Sequence, residues 1–202
     1  MLTRDGQRLL TLSATVAPGE TLSIMGPSGS GKSTLLAMAT GTISPEFDTS
    51  GRIILGGRDI TALPPQDRQV GILFQDDVLF PHLSVRGNLA FGLHPSVKGR
   101  KARMAAVDEA LAGVGLAGFA DRDPATLSGG QRARVALMRV LLSQPKALLL
   151  DEPFSKLDAG LRDQIRNLVF DHARAAGLPV VLVTHDPEDA KAAGGRVITV
   201  GG

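Results

Sequence analysis

Short apolar runs separated by helix-forming stretches set the expected architecture. Residues 22–25, 71–74, 147–150 and 180–183 are almost continuously apolar, and 197–200 repeats the pattern. Runs of this kind belong to strands covered on both faces, as in a parallel sheet wrapped by helices. Two other segments alternate instead: Leu10, Leu12, Ala14 and Val16 are separated by Thr11, Ser13 and Thr15, and 52–55 follows Arg52 with Ile53, Ile54 and Leu55. These predict half-exposed antiparallel strands at one edge. From about 81 to 125 the strand signal disappears. Met104, Val107, Leu111 and Val114 recur three or four residues apart, on one face of an amphipathic helix. Leu161, Ile165, Leu168, Val169 and His172 form a second stripe, and Val135, Met138 and Leu142 a third. Residues 1–202 therefore read as a single α/β domain. It has a mainly parallel sheet, an antiparallel β edge and a helical subdomain inserted at about 81–127.

Composition narrows the possibilities further. At 202 residues, 43% hydrophobic and 21% charged, the chain can bury a substantial interior. Twenty-two Lys+Arg against 20 Asp+Glu leave a formal charge of +2, so nothing in the charge balance points to nucleic acid. With no cysteine, a disulfide framework, a thiol nucleophile and a zinc–thiolate site are all excluded. No apolar run approaches the roughly 18 residues of a membrane-spanning helix. Arg4, Asp5 and Arg8 stand where a signal peptide would be apolar. Any role at a membrane has to run through a partner.

The chemistry concentrates at three places. Gly26-Pro27-Ser28-Gly29-Ser30-Gly31-Lys32-Ser33 follows an apolar strand and opens onto the helix-former run beginning at Thr34. Strand, glycine-rich loop and helix in this order make a cradle for nucleotide phosphates. The glycines let backbone N–H groups curl around an anion, and the helix N-terminus adds unsatisfied donors. Lys32 would reach the β- and γ-phosphates and the Ser33 hydroxyl would ligate Mg²⁺. The strand at 147–150 ends in Asp151 and Glu152. Beside the phosphate loop, Asp151 would serve the magnesium and Glu152 would orient or deprotonate the attacking water. Finally Leu127-Ser128-Gly129-Gly130-Gln131 precedes a helix, with Ser128 at its N-cap, a second anion-binding helix start. An ordinary capped helix would account for Ser128 but not for both glycines followed by Gln131.

Leu127 to Arg132 is the signature of ATP-binding cassette (ABC) ATPases, and the remaining motifs fall in that family's order. Gln75 matches the Q-loop glutamine, Ser155-Lys156-Leu157-Asp158 resembles the D-loop, and Thr184-His185-Asp186 resembles the switch-histidine motif. The resemblance covers the chain from about 9 to 200 and implies a P-loop NTPase core. It also implies that two copies sandwich two ATP molecules head to tail. Ser128, Gly129, Gly130, Gln131 and Asp158 of one copy would then close over the nucleotide held by residues 26–34 of the other. Gln75 would ligate Mg²⁺ or its water, and His185 would hydrogen-bond the γ-phosphate. Residues 75–89 resemble the groove of bacterial importer cassettes that receives a coupling helix from the permease. The implied setting is peripheral, at the cytoplasmic face of the inner membrane, with a periplasmic or surface solute-binding protein as an indirect partner. His82, His94 and His172 carry no such support and read as solvent-facing or structural, and Phe74, Phe80 and Phe91 read as packing residues.

Two positions depart from the family pattern. The family stacks adenine on an aromatic residue upstream of the phosphate loop, but none precedes Gly26; by spacing the position falls near Thr3, Arg4 or Asp5. Either the chain starts further upstream or adenine is held without stacking, with the Arg4 guanidinium a candidate to lie against the base. Stacking contributes about 1–3 kcal/mol per base, so its loss predicts weakened affinity and similar binding of ATP and GTP. Lys156 stands where the D-loop usually has a small residue. The alternative reading is a soluble ABC ATPase acting on nucleic acid or ribosomes. Such proteins usually carry long coiled coils or a second cassette, and the span between Gln75 and Ser128 is too short for a coiled-coil arm. A non-hydrolytic regulatory module is disfavoured because Glu152 and His185 are both present.

Overall fold

The computed structural model describes residues 1–4, 6–76 and 78–201. Asp5 and Asp77, on which parts of the adenine and groove readings fall, lie outside the described residues, as does Gly202. Strands β1 (Leu2–Arg4) and β2 (Gln7–Leu10) open the chain, followed by β3 (Thr21–Met25), α1 (Lys32–Thr40) and β4 (Phe47–Thr49). A small hairpin, β5 (Ile54–Leu55) and β6 (Arg58–Asp59), leads to β7 (Val70–Leu73). Helices α2 (Val85–Gly92), α3 (Arg100–Gly113) and α4 (Gly129–Leu141) come next. The chain closes with β8 (Ala147–Asp151), α5 (Ala159–Ala175), β9 (Val180–Thr184), α6 (Pro187–Ala193) and β10 (Arg196–Thr199).

The five apolar runs pair in parallel as one sheet, in the order β10-β3-β9-β8-β7. Their continuity has the expected cause. On β8, Leu148 and Leu150 join the core under α4 and α5 with Phe154, Val169 and Phe170. Leu149 between them faces the other way, onto the layer holding Leu22, Ile24 and Leu36. All three leucines are buried because both faces are covered.

The edge differs from the alternation-based reading. The antiparallel sheet has the order β2-β1-β4, drawn from Leu2–Arg4 and Phe47–Thr49, which carried no clear signal. Residues 11–17 run without a ladder, although Leu12 and Val16 still pack on the core. The period-2 pattern there records which side faces inward; the backbone is held instead by the turn from Glu20 N–H to Ala17 O at 3.0 Å. In 52–55 only Ile54 and Leu55 are paired.

Helix α4 is apolar on two sides. Val135 and Met138 enter a cluster with Val85, Leu89, Val107 and Leu111 of α2 and α3. Ala133, Ala136 and Leu137 instead enter the sheet core. One helix thus joins two packing units. Of the α3 stripe, Met104 lies at its exposed margin, whereas Val107, Leu111 and Val114 are buried.

Candidate functional site

The C-terminal ends of β3, β8 and β9 bring one group of the expected residues together. The chain leaves β3 at Gly26, where a Cβ would meet Val200 O at 2.3 Å, so no larger residue fits. At Gly31, φ is +84°, which turns the chain through a left-handed N-cap into α1 without strain. Lys32 is 5% exposed. Its Nζ folds over the loop, donating to Gly26 O at 2.8 Å and Pro27 O at 2.7 Å. The Ser33 hydroxyl donates to Asp151 Oδ1 at 3.0 Å, joining the phosphate loop to the end of β8. Burial pushes the Asp151 carboxyl above the usual carboxylate range. The neighbouring Glu152 adds to that, while Ser33 and the Lys32 charge act in the opposite direction.

Glu152 carries a strained backbone, with φ +47° in the left-handed region that non-glycine residues avoid. Hydrogen bonds hold it there: its N–H donates to Val183 O at 2.9 Å, and its carbonyl accepts from Ser155 Oγ at 2.9 Å and from Ser155 N–H at 3.3 Å. The strain aims the side chain at the end of β9, where Oε2 lies 3.2 Å from His185 Nδ1. The His185 side chain is largely exposed, and Thr184 before it pairs with Met25 at the end of β3, where the phosphate loop begins. Gln75, just past β7, is also exposed.

A second group forms a separate cleft, lined by Ser128, Gly129, Gly130, Lys156, Leu157 and Asp158. Here Gln131 has a local role that the sequence reading denied it. Ser128 Oγ accepts from Gln131 N–H at 3.3 Å, and Gln131 Oε1 accepts from Ser128 N–H at 3.0 Å, a reciprocal capping box that starts α4. Gly130 is also explained by packing, because a Cβ there would lie 2.4 Å from Leu161 Cδ1 of α5. Only Gly129 faces open space, with nothing nearer than Arg132 Nη2 at 3.9 Å. Asp158 caps α5 by accepting from Leu161 N–H at 3.0 Å. Lys156 pairs with Asp76, next to Gln75, and so ties the D-loop to the Q-loop of the same chain.

Several further residues carry no motif. Asn88 is fully buried and holds the 80–84 turn, accepting from Phe80 N–H at 2.8 Å and donating to the carbonyls of Phe80, Leu83 and Ser84. Arg139 of α4 donates to Val78 O at 2.9 Å, linking α4 to the same region. The polar Asn88 beside Leu89 and Val85 was the available clue. Phe74 and Phe91, read as packing residues, are 49% and 71% exposed, and Phe91 meets Phe80 edge to face at 4.8 Å between ring centroids. Arg4 pairs with Glu46 at 3.0 Å and lies over the Phe47 ring.

Comparison with known proteins bears on the family and the fold. The family model described as ABC transporter matches residues 9–155. The uncharacterized ABC transporter ATP-binding protein YnjD of Escherichia coli (strain K12) is 53% identical over 92% of this chain and 85% of its own. The thiamine import ATP-binding protein ThiQ of Cereibacter sphaeroides is 46% identical over 99% of this chain and 85% of its own. The Fe(3+) ions import ATP-binding protein FbpC 1 of Rhizobium meliloti (strain 1021) is 46% identical over 94% of this chain but 53% of its own length. Among solved structures, the ATP-binding cassette MJ0796, dimeric and in a post-hydrolysis state bound to ADP and Pi, matches with a TM-score of 0.81 and 31% identity. That match covers 98% of this chain and 90% of the other.

Proposed function

The chain belongs to the ABC transporter family, and from that premise we propose that it is the ATP-binding, ATP-hydrolysing subunit of a bacterial importer, powering solute uptake through a separate permease. The observation that carries the reading is that Lys32, the Ser33–Asp151 pair and the Glu152–His185 pair all lie at the C-terminal ends of β3, β8 and β9. Those are the parts that phosphoryl transfer to water requires.

Each residue then has a task. The amides of residues 26–34 and the Lys32 ammonium bind and orient the phosphates. Glu152 takes up a proton from, or aligns, the attacking water, and His185 contacts the γ-phosphate. The oxygen donors present fit Mg²⁺. A serine hydroxyl and a carboxylate 3.0 Å apart suit a small hard cation that is otherwise held by phosphate oxygens and water. When bound, Mg²⁺ supplies charge neutralisation on the β- and γ-oxygens. Ser33 would hold it directly, with Asp151 and Gln75 ligating it or its water.

Hydrolysis in this reading needs a second copy. The Ser128–Gln131 helix start and Asp158 lie in a cleft lined by no phosphate-loop residue, so they serve the nucleotide of the partner copy. The dimeric state of MJ0796 and the importer names of ThiQ and FbpC support a homodimer working beneath a permease. No helix among the described residues is long and apolar enough to cross a membrane, so the subunit would attach to the cytoplasmic face through that permease. The solute-binding protein would be an indirect partner.

Two variants and one capture experiment test the reading. Lys32→Ala loses nucleotide binding. Glu152→Gln retains it, while kcat falls by about 10²–10⁴-fold, the usual range for a lost general base. Turnover near wild type in Glu152→Gln removes the assigned role. Purified from native membranes in mild detergent with Mg-ATP, the Glu152→Gln protein brings down a polytopic permease at near-equal yield. Recovery of ribosomes or DNA-processing proteins instead overturns the importer reading.

A further inference from the structure

A continuous line of polar contacts runs behind the Glu152–His185 pair, and the residues that join it, Arg162, Arg166 and Asp189, belong to no motif. Arg162, on the first turns of α5, stands at its centre. Its Nη2 donates to Leu157 O at 3.2 Å, within the 155–158 loop, and its Nη1 donates to Asp186 Oδ2 at 2.9 Å, directly after His185. From there the line continues inward. Asp186 N–H donates to Thr184 Oγ1 at 3.0 Å, and that hydroxyl donates to Asp189 Oδ2 at 3.0 Å. Asp189 Oδ1 lies 2.8 Å from Arg166 Nε. Thr184, Asp189 and Arg166 are 1%, 2% and 8% exposed. His185 is therefore suspended between two residues that the network holds, Thr184 at the buried end and Asp186 at the end facing the D-loop.

The two ends differ in what they can do. The Arg166–Asp189–Thr184 end is enclosed in the core and acts as a fixed anchor. The Arg162–Asp186 pair is about a quarter exposed on both sides, and its other contact is a loop carbonyl. Arg162 Nε is buried with no hydrogen-bond partner among the described residues, so the contacts described for the guanidinium are the two bridging ones. A shift of the 155–158 loop moves Leu157 O, and the planar fork passes that movement to Asp186 Oδ2. A lysine has a single ammonium and cannot span both acceptors in one plane.

We propose that Arg162 is a positioning residue that ties the pose of His185 to the position of the D-loop, so that a second copy docking against that loop is felt at the γ-phosphate. This rests on the ATPase reading above. It predicts that breaking the bridge slows turnover and leaves nucleotide capture, which belongs to the phosphate loop, intact.

The test is a double-mutant cycle on the whole chain with Arg162→Lys, Asp186→Asn and both together. The readouts are kcat for Mg-ATP, affinity for a fluorescent ATP analogue, and the thermal midpoint. Asparagine at 186 keeps the oxygen that accepts from Glu188 N–H at 2.8 Å and so preserves the cap of α6. Each single variant is expected to lose about tenfold or more in kcat, because small misplacements at a reacting centre carry penalties up to about 10²-fold. Analogue affinity stays within about twofold, and the double variant is no slower than the slower single, the non-additivity of one shared contact. A kcat within about twofold of wild type in both singles overturns the proposal, as do effects that multiply in the double. If Arg162→Lys does not fold, Asp186→Asn alone decides through its split between kcat and affinity. A wild-type chain that neither binds the analogue nor hydrolyses ATP removes the ATPase reading itself. An active wild type with equally active variants removes only the role of Arg162.

Discussion

Replacing Arg68 by methionine should destabilise the protein more than any substitution at an exposed arginine. Arg68 is 6% exposed, and all the hydrogen bonds described for its guanidinium go to carbonyl oxygens. Nε donates to Leu63 O at 2.8 Å, Nη1 to Met38 O at 2.7 Å and Ala39 O at 3.0 Å, and Nη2 to Thr61 O at 2.7 Å. Met38 and Ala39 lie in the last turn of α1, whose carbonyls lack partners within the helix. Their partial negative charge also favours a cation there. Burial without a carboxylate partner pulls the Arg68 pKa down, so the native state already bears a desolvation cost. Methionine removes that cost but leaves up to four carbonyls short of a donor, at about 1–3 kcal/mol for each one truly stranded. Met38 O keeps the Gly41 N–H at 3.3 Å. Subtracting the recovered desolvation from the cost of the three carbonyls left without a donor gives a net loss of about 3–5 kcal/mol. For a domain of this size that lowers Tm by roughly 6–20 °C. Thermal unfolding followed by circular dichroism measures it. Nucleotide affinity of the folded fraction stays within about twofold, because the phosphate loop sits at the opposite end of α1. A Tm loss below about 2 °C refutes the capping argument.

Four further outcomes follow from the same geometry. Asp151→Asn raises Tm in the absence of nucleotide and abolishes turnover, since it removes a buried carboxylate beside Glu152. With its folded pKa raised, Asp151 lowers stability as pH climbs from the ordinary carboxylate pKa through the folded one. The Tm gap between variant and wild type should therefore widen over that interval and then level off, and a gap independent of pH contradicts the assignment. Gly130→Ala costs about 1–3 kcal/mol by overpacking against Leu161; Leu161→Ala introduced beside it restores part of that loss, and no rescue means that Gly130 is required for another reason. Ser128→Asp keeps the α4 cap, so Tm changes little, but it sets a carboxylate against the partner's γ-phosphate and turnover collapses; retained turnover removes Ser128 from the nucleotide interface. ATP and GTP bind with affinities within about fivefold of each other, as expected where the base stacking of about 1–3 kcal/mol is missing, and a strong ATP preference measured by titration would show that another group grips adenine.

What was legible in the sequence depended on whether the signal was local. The parallel strands announced themselves because burial on both faces removes polar residues from every position of a short run, as at Leu148, Leu149 and Leu150. The phosphate loop was legible because its glycines and Lys32 are consecutive. By contrast β1 and β4 pair across more than forty residues, with Leu2 opposite Thr49, and neither strand has a distinctive composition. Arg68, Arg162 and Asp189 look like solvated charges until the fold brings carbonyls and counter-ions to them. Arg166 offered one hint, since it falls within the buried stripe of Ile165, Val169 and Phe170, where a free charge would be costly.

The signature segment shows why a motif's structural and functional readings need not compete. Ser128 Oγ serves the cap as an acceptor, taking the Gln131 N–H at 3.3 Å. A hydroxyl that accepts through a lone pair still has its own hydrogen to donate. The cap therefore fixes the oxygen and leaves its hydrogen free to donate, at the cleft it shares with Asp158. Gly130 must be small to let α5 approach, and that same approach brings the Asp158 cap of α5 beside the Ser128 cap of α4. The two helix starts are held together by packing that one glycine permits, and in the proposed dimer the start of α4 would meet a partner's phosphate as part of one preformed surface. Such preorganisation removes the cost of assembling the surface at the moment of closure. On this argument the residues that fold α4 and the residues that close the nucleotide site are the same residues for one physical reason.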